Sequence, residues 1–275
     1  METVRAITQA RALFAAAPRP LGFVPTMGAL HGGHLELVRR ARRLSASVVA
    51  SIFVNPLQFG ANEDLTTYPR DEAGDRAKLS EAGVDLLFSP EAGTMYRPDF
   101  TTYVDVGPLG TVLEGAQRPQ HFRGVTTVIA KLLNIVQPDV LFLGQKDAQQ
   151  AIILRKMIDD LNVPVEVQLV PTVREPDGLA MSSRNQYLDA ERRAQAPSLY
   201  KALLAMRDSL QAGDSKRDAV GAGAAALSPD AKLDYLELVE ADTFVPLERL
   251  QMPAFILGAA RFGSTRLIDN LWLTS

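Results

Sequence analysis

Short apolar runs alternate, along the first two thirds of the chain, with stretches whose apolar residues recur at helical spacing. The run Leu21–Thr26 is almost continuously apolar, which is typical of a strand buried on both faces of a sheet. The next stretch, Leu35–Leu44, carries apolar residues every three or four positions and is predicted as a helix. Alternation of this kind indicates a mostly parallel sheet covered by helices.

The same pattern continues to about residue 173. The predicted strands are Ser47–Val54, Val84–Phe88, Asp139–Leu143 and Val163–Val173. The predicted helices are an N-terminal one ended by Pro18 and Pro20, one capped by Asp71 and running to Ala82, Val125–Val136, and Asp147–Leu161. We predict a Rossmann-like, doubly wound α/β domain over residues 1–175, which would bind the substrates.

The pattern changes after about Arg174. A helix-rich stretch from Ala190 to Leu227 is followed by three strand-like runs, which are Leu233–Val239, Ala254–Ala260 and Thr265–Leu273. We predict a smaller α+β C-terminal lid domain over residues 176–275. The alanine- and glycine-rich segment Ala219–Ala226 is interpreted as a closely packed helix rather than a linker.

Composition narrows the possible functions. The 275 residues are 47% hydrophobic with a net charge of −3, as in an ordinary globular protein, and Arg39–Arg43 is the only dense basic patch. Nucleic acid is therefore not expected as the main partner. The chain has no cysteine, which excludes disulfides and thiolate metal sites. No secretory or membrane-spanning run is evident, so we expect a cytoplasmic protein with no membrane partner.

The segment PTMGALHGGHL, Pro25–Leu35, links the first buried strand to the next helix and carries two of the chain's three histidines. Ligands collect at the carboxyl ends of parallel strands, and helix N-termini bind phosphate. Near a polyphosphate, His31 and His34 would be held more protonated and would donate hydrogen bonds to phosphoryl oxygens. Two alternatives stay open: one histidine caps the helix while the other fills a polar gap, or both join His121 in a zinc site.

Two further clusters suit phosphate binding. LFLGQKDAQQ, Leu141–Gln150, places Lys146 after a strand, where it can reach a phosphate, and either Gln149 or Gln150 facing the pocket. Asp147 is most simply an N-cap. GLAMSSRN, Gly178–Asn185, suits a mobile lid over phosphates.

Two clusters remain. RPQHFRG, Arg118–Gly124, contributes His121 and Arg123, and NPLQFG, Asn55–Gly60, contributes Gln58 as a hydrogen-bonding group for a hydroxyl-bearing substrate. No G-x-S-x-G motif is present, so neither serine of GLAMSSRN is predicted to be a hydrolase nucleophile.

Taken in order, these segments resemble the pantoate–β-alanine ligase family. PTMGALHGGHL is similar to the family's form of the HIGH-type signature of nucleotidyltransferases, and MSSRN resembles the counterpart of the KMSKS loop. The segments NPLQF, YPRD, HFRGV and LGQKD resemble other family signatures, and the match runs from about Leu21 to Leu188.

The resemblance implies a reaction in which ATP and pantoate give pantoyl adenylate and pyrophosphate, after which β-alanine displaces AMP. It also implies Mg²⁺ with ATP and a homodimer. The implied catalytic residues are His34, His31, Lys146 and Arg184. The implied ATP-binding residues are Pro25, Thr26, Met27, His31, His34, Gly144, Lys146, Asp147, Met181, Ser182, Ser183 and Arg184. The implied pantoate ligands are Met27, Gln58 and Gln150, with His121 and Arg123 as possible additional site residues.

The chain departs from the family pattern at three positions, which are Gly32, Gly74 and Ala148. Gly74 stands where an acidic residue is frequent, so no protein ligand for Mg²⁺ is assigned. Three rival functions remain, namely another nucleotidyltransferase of this superfamily, a three-histidine zinc hydrolase, and a non-catalytic nucleotide-binding module.

Overall fold

The structure is a computed structural model that describes residues 1–61 and 63–274. The chain divides into two compact units. The first unit comprises Met1–Gly144 and Gln149–Val170, and the second comprises Gln145–Ala148 and Pro171–Ser275. The short segment that carries Lys146 therefore belongs with the C-terminal part of the chain.

The first unit is built on a six-stranded sheet. Its strands are β1 (Glu2–Val4), β2 (Leu21–Thr26), β3 (Ser47–Ile52), β4 (Leu86–Phe88), β5 (Val140–Gly144) and β6 (Glu166–Val170). They lie in the order β1-β4-β3-β2-β5-β6, and each neighbouring pair is parallel. The order changes direction at β2, which pairs with β3 on one side and β5 on the other. In such sheets the ligand crevice opens where the order reverses, at the carboxyl ends of the strands.

Helices cover both faces of this sheet. They are α1 (Ile7–Ala16), α2 (Gly32–Leu44), α3 (Glu72–Glu81), α4 (Ala92–Met95), α5 (Glu114–Gln117), α6 (His121–Val136) and α7 (Ala148–Asp160). Phe23 of β2 packs in a core shared with α1, α6 and α7, whereas its neighbour Val24 packs in a second core with α2 and α3. Alternate residues of one strand thus face opposite layers, which explains the continuous apolar run. The predicted doubly wound parallel sheet is confirmed.

The second unit is a small α+β structure. Its strands β7 (Lys232–Glu240), β8 (Ala254–Phe262) and β9 (Thr265–Leu273) form an antiparallel sheet in chain order. Its helices are α8 (Ala190–Gln195), α9 (Ser198–Gln211) and α10 (Lys216–Ala226). Ala219 of α10 is buried in the same core as Leu203 of α9, so the low-complexity segment is a packed helix as predicted.

Several boundaries differ from the prediction. The prediction that the N-terminal helix begins at the start of the chain is wrong for residues 2–4, which form strand β1, and α1 begins only at Ile7. The three residues of β1 include a single buried side chain, Val4, and show no alternation. The predicted strand Val163–Val173 shortens to β6, and the predicted helix Val125–Val136 begins four residues earlier, at His121. HFRG is therefore the first turn of α6 rather than a loop. No helix in the described part of the chain is long and apolar enough to cross a membrane.

Candidate active site

The turn after β2 is held by a buried carboxylate on α3. Gly28 and Ala29 both adopt the left-handed region, with φ of 84° and 51°. The Asp75 carboxylate accepts the backbone N–H of Ala29 at 2.7 Å and that of Leu30 at 2.8 Å, and its residue is 1% exposed. Both carboxylate oxygens are thus used to fix the turn. The sequence does not reveal this role, since Asp75 looks like an ordinary acidic residue of a polar helix.

The hydroxyl of Thr26 is also used inside the turn. It donates to the backbone carbonyl of Ser51 at 2.7 Å and accepts the N–H of Gly28 at 3.2 Å. These two bonds leave one acceptor lone pair on the hydroxyl, so the nucleotide contact of Thr26 stays a prediction. Pro25, the preceding residue of β2, is half-buried.

The two histidines cap helix α2 reciprocally. Nδ1 of His31 accepts the N–H of Gly33 at 3.2 Å, and Nδ1 of His34 accepts the N–H of His31 at 3.4 Å. Their ring centroids are 4.1 Å apart. An imidazolium has no acceptor atom, so these bonds require neutral rings that carry their protons on Nε2. Both histidines therefore cap the helix, and the capping bonds use only Nδ1 of each ring. The expectation that a bound polyphosphate would hold the rings more protonated stays a prediction.

A second group of polar side chains lies beside this turn. Nε2 of Gln58 contacts the Met27 sulfur at 3.1 Å, and Oε1 of Gln58 accepts the amide of Asn55 at 3.0 Å. A thioether is a weak acceptor, so the Gln58 amide can turn to a better oxygen acceptor when a substrate supplies one. The structure thus brings together Met27 and Gln58, two of the three predicted pantoate ligands.

Asn55 is the centre of this group and was named only as part of a motif. Its residue is 1% exposed, and its amide also donates to the carbonyl of Gly124 at 3.1 Å. Its Oδ1 accepts the hydroxyl of Tyr96 at 2.7 Å. Burial raises the pKa of Tyr96, so its hydroxyl stays a donor. In the sequence, Asn55 directly follows the predicted strand Ser47–Val54, and this position is the signal that points to it.

His121 bonds the backbone of Gln58. Its Nδ1 lies 2.9 Å from the carbonyl oxygen of Gln58, which can only accept, so Nδ1 donates. Its Nε2 lies 3.0 Å from the guanidinium of Arg118, which donates to it. Burial, with a further contribution from the Arg118 charge, lowers the pKa of His121 from 6.5 to about 4. His121 is therefore a neutral, buried link at neutral pH.

An ion pair completes this link. Nε of Arg118 donates to a carboxylate oxygen of Glu63 at 2.8 Å, and a second guanidinium nitrogen bonds the other oxygen. Burial alone would raise the pKa of Glu63, but the bonds and charge of Arg118 outweigh it and hold that pKa below its usual value. In addition, Gly124 lets α6 lie against the Pro56–Gln58 turn, because a Cβ there would meet the carbonyl oxygen of Leu57 at 2.2 Å.

Arg123 has different surroundings from His121. Its guanidinium lies over the ring of Tyr103, 4.0 Å from the centroid, and donates to the Gln120 side chain at 3.2 Å. Its contacts are thus with Tyr103 and Gln120, whereas those of His121 are with Gln58 and Arg118. The structure separates the two possible additional site residues, and gives both of them contacts within the protein.

The adjacent glutamines of α7 have separate roles. The amide of Gln149 donates to the carbonyls of Leu109 and Val112 at 3.1 and 2.9 Å, and its Oε1 accepts the N–H of Glu114 at 3.1 Å. Gln149 is therefore an internal anchor. Gln150 is half-buried in the first turn of α7, and it stays the predicted pantoate ligand of the two.

In the second unit, Lys146 and Ser182 line one small cavity together with Tyr200 and Asp269. Lys146 lies in the 3₁₀ turn Gln145–Asp147, and its ammonium lies 3.4 Å from the Asp147 carboxylate. Gly144 ends β5 directly before this turn.

The MSSRN segment follows a short hairpin in the same unit. Arg174 and Ala180 form its bridge, and the N–H of Met181 donates to the carbonyl of Val173 at 3.0 Å. The Ser182 hydroxyl caps the next 3₁₀ turn, Ser183–Tyr187, by accepting the N–H of Arg184 at 3.3 Å. Predicted residues Met181 to Arg184 thus form one continuous stretch whose first serine faces the Lys146 cavity.

A buried ion pair lies beside that cavity. The Arg174 guanidinium donates to both carboxylate oxygens of Asp269, one at 2.9 Å, and stacks on the Tyr200 ring at 3.7 Å. The next residue, Asn270, donates its amide to the carbonyls of Gln145 and Lys146 at 2.8 and 2.9 Å. The sequence gives no sign of a role for Asp269 and Asn270, since an Asp-Asn pair in a strand matches no motif.

No group of three or more histidines and carboxylates in residues 1–61 and 63–274 is placed to hold a metal ion. His31, His34 and His121 therefore do not form the zinc site considered above. The Asp75 carboxylate, the acidic group next to the departure at Gly74, is already used by two backbone amides. No protein ligand for Mg²⁺ is assigned.

Comparison with known proteins confirms the resemblance. The family model described as pantoate-beta-alanine ligase matches residues 1–272. The chain is 54% identical over 275 residues to the pantothenate synthetase of Thermus thermophilus, with 98% of this chain and 99% of the relative covered. It is 52% identical over 277 residues to that of Chloroflexus aurantiacus, with 99% and 97% covered.

Solved structures agree with the sequence comparison. The crystal structure of pantothenate synthetase from Thermus thermophilus matches with a TM-score of 0.95 at 53% identity, with both chains fully covered. The pantoate-beta-alanine ligase of Francisella tularensis, complexed with beta-gamma ATP and beta-alanine, matches with a TM-score of 0.83 at 32% identity, covering 99% of this chain and 97% of that one. The chain therefore belongs to the pantoate-beta-alanine ligase family.

Proposed function

We propose that this ligase forms pantothenate in two steps, through a pantoyl adenylate. In the first step, a carboxylate oxygen of pantoate attacks the α-phosphorus of ATP, an O–P bond forms, and pyrophosphate leaves. In the second step, the amine of β-alanine attacks the acyl carbon, the C–O bond to AMP breaks, and AMP leaves. The Francisella tularensis relative was solved with beta-gamma ATP and beta-alanine, two ligands that suit these steps.

One observation carries the proposal. The turn after β2 carries, within a few residues, Met27 and two imidazoles whose Nε2–H groups can donate to phosphoryl oxygens. Met27 contacts Gln58, whose amide can bind a hydroxyl or carboxylate oxygen. A carboxylate that must attack a phosphorus atom needs both kinds of contact side by side. This turn lies at the carboxyl end of β2, where the sheet order reverses.

The attack of pantoate on ATP depends on positioning and charge stabilisation more than on proton transfer. The carboxylate of pantoate is ionised at neutral pH, so the first step needs no general base. Negative charge shifts onto the leaving pyrophosphate, and fixed donors stabilise that charge without reorganising. We assign this work to Nε2–H of His31 and His34 and to the cations Lys146 and Arg184.

The remaining nucleotide contacts are assigned by the resemblance and supported by position. Ser182 shares a cavity with Lys146, and Met181 and Ser183 flank it in one stretch. Gly144 precedes the Lys146 turn and Asp147 ends it, while Pro25, Thr26 and Met27 belong to β2 and its turn. We propose that GLAMSSRN is the lid over the phosphates, because a mixed anhydride must be kept from water until the amine attacks.

For pantoate, we propose Met27, Gln58 and Gln150 as ligands. Two supports then act through Gln58. Asn55 bonds the Gln58 side chain, and His121, the end of the Glu63–Arg118–His121 link, bonds the Gln58 carbonyl. His121 is thus proposed as a supporting residue, and Arg123 is proposed to pack on Tyr103 at the start of α6.

We infer that Mg²⁺ enters with ATP, as the family resemblance implies, and that it would supply positive charge beside the phosphates. We further infer a cytoplasmic homodimer, which the family resemblance supports.

The function is tested by measuring pyrophosphate, AMP and pantothenate from purified protein with ATP, Mg²⁺, pantoate and β-alanine, omitting each substrate in turn. We expect AMP and pantothenate only when all substrates are present, in equal amounts. Release of pyrophosphate that is independent of pantoate would show a different nucleotidyltransferase. Bound ATP without turnover would show a nucleotide-binding module.

A further inference from the structure

The turn that carries Lys146 is held from the last strand of the chain. The side-chain amide of Asn270, in β9, donates to the carbonyl of Gln145 at 2.8 Å and to the carbonyl of Lys146 at 2.9 Å. The Gln145 amide returns a bond to Oδ1 of Asn270 at 3.3 Å. Asn270 is 2% exposed. Since a single 3₁₀ turn has few hydrogen bonds of its own, these contacts fix how its backbone is oriented.

Asn270 is itself fixed by its neighbours. The Asp269 carboxylate accepts the N–H of Asn270 at 2.8 Å, and Arg174 donates to the carbonyl of Asn270 at 3.2 Å. Arg174 also donates to the carbonyl of Gly178 at 3.1 Å, in the hairpin that precedes MSSRN. Both the N–H and the carbonyl of Asn270 are therefore bonded, so its side chain is held in a fixed position. We call the two bonds from this side chain to the carbonyls of Gln145 and Lys146 the clamp.

The clamp acts on the predicted phosphate-binding cation. Both protons of one amide are used on the carbonyl of Lys146 and on that of the residue before it, and Lys146 lines the same cavity as Ser182. A buried amide that merely filled space in a strand would need partners, but not partners in this particular turn.

We propose that Asn270 is a positioning residue for Lys146, which sets the direction of the Lys146 ammonium by holding the carbonyls of Gln145 and Lys146. The inference rests on the proposed role of Lys146 in adenylation. Small errors in the placement of a charge donor cost large factors in rate, so loss of the clamp lowers the rate of adenylation without removing a group that touches substrate.

A double-mutant cycle on the rate of pyrophosphate release in a single turnover tests this proposal. The variants are Asn270→Ala, Asn270→Asp, which keeps the size but loses both donors, Lys146→Ala, and each combination with Lys146→Ala. We expect either change at Asn270 to lower the rate about 10- to 100-fold in the normal background. In the Lys146→Ala background we expect no further loss, because two residues that act as one unit are not additive.

Asp234→Asn is the matched control. Asp234 pairs with Arg266 at 2.6 Å and with Arg261 at 3.5 Å, and both partners belong to the same sheet as Asn270 but lie outside the Lys146 turn. We expect the change to lower thermal stability while leaving the rate unchanged. If one Asn270 variant fails to fold, the other still completes the cycle, and circular dichroism identifies which one to use.

The outcomes separate the inference from its premise. An unchanged rate in Lys146→Ala would overturn the proposed role of Lys146. A reduced rate in Lys146→Ala, with Asn270 variants that either keep the normal rate or lose the same factor in both backgrounds, would leave Lys146 in place and overturn the positioning role of Asn270.

Discussion

Nδ1 of His34 accepts the backbone N–H of His31 at 3.4 Å, while Nδ1 of His31 accepts the N–H of Gly33 at 3.2 Å. The two imidazoles therefore close the start of α2 with one ring nitrogen each and keep a proton on the other. Capping and donation use different atoms, so a suitable substitution can remove one function and keep the other.

Replacing His31 tests this separation. Asparagine is a preferred N-cap whose side-chain oxygen accepts a backbone N–H, but it has no group in the place of Nε2–H. We expect His31→Asn to keep normal stability and to lower the adenylation rate about 10²-fold. His31→Ala should lose a similar factor in rate and also about 1 kcal/mol of stability.

The measurements are thermal unfolding and single-turnover pyrophosphate release for the same protein samples. A normal rate in His31→Asn would show that His31 is only a helix cap, and the histidine turn would then lose one of its two proposed donors.

Asp75 gives a second prediction. Asp75→Asn replaces one carboxylate oxygen by an NH₂ group, so one of the N–H groups of Ala29 and Leu30 loses its acceptor. A buried donor without a partner costs about 1–3 kcal/mol of stability. The histidine turn also shifts, and we expect the adenylation rate to fall by about 10- to 100-fold.

Asp71→Ala is the control for the same helix, because Asp71 caps α3 by accepting the N–H of Gly74 at 2.9 Å. We expect a stability loss of about 1 kcal/mol and a normal rate. Equal losses of rate in both variants would mean that stability of α3, and not the contact with the turn, governs the activity.

The adjacent glutamines of α7 provide a third prediction. Gln149→Ala leaves three backbone groups of the 109–114 segment without their partner, and we expect stability to fall by about 1–3 kcal/mol. Gln150→Ala should leave stability unchanged and raise the KM for pantoate, with the KM for ATP unaffected. The measurements are steady-state kinetics with each substrate varied, and urea unfolding. A higher KM for pantoate in Gln149→Ala, with a stability loss in Gln150→Ala, would show that the two roles are exchanged.

His121 predicts a pH dependence of stability. Its pKa is about 4 in the folded protein and 6.5 in its ordinary state, so between these values the unfolded chain binds more protons. The contribution of His121 to the free energy of unfolding is therefore complete above pH 6.5 and is lost as the pH falls to about 4. The difference amounts to about 3 kcal/mol.

His121→Asn keeps a donor for the Gln58 carbonyl but does not titrate. We expect the wild-type protein to lose more stability than this variant between pH 6.5 and 4 in urea unfolding. Parallel losses in the two proteins would show that His121 titrates normally in the folded state.

Much of the fold was predictable because strand burial leaves a direct mark on the sequence. Leu21–Thr26 was predicted with its observed bounds, and the predicted helix after Asp71 was found with that residue as its cap. Strand β1 was missed because three residues at a sheet edge produce no period. The first turns of α2 and α6 were missed because glycine and histidine have weak helix propensity, and caps and packing outweigh it there.

Residues of the candidate site were predictable only where they belong to a recognisable motif. Met27 and Gln58 lie about thirty positions apart in the chain and meet in the structure, as the order of motifs indicated. Asp75 and Asn270 were not predicted, because each acts on the backbone of a distant segment. A backbone contact has no preferred residue spacing, so it leaves no pattern that a single sequence can show.

The central claim is that pantoate attacks ATP through its own carboxylate, and isotope transfer tests it most directly. Pantoate labelled with ¹⁸O in the carboxylate is converted with ATP, Mg²⁺ and β-alanine, and the AMP is analysed by mass spectrometry. We expect one ¹⁸O atom in the phosphate of each AMP, because the C–O bond of the adenylate breaks when the amine attacks. AMP without the label, formed alongside labelled pantothenate, would contradict the adenylate pathway.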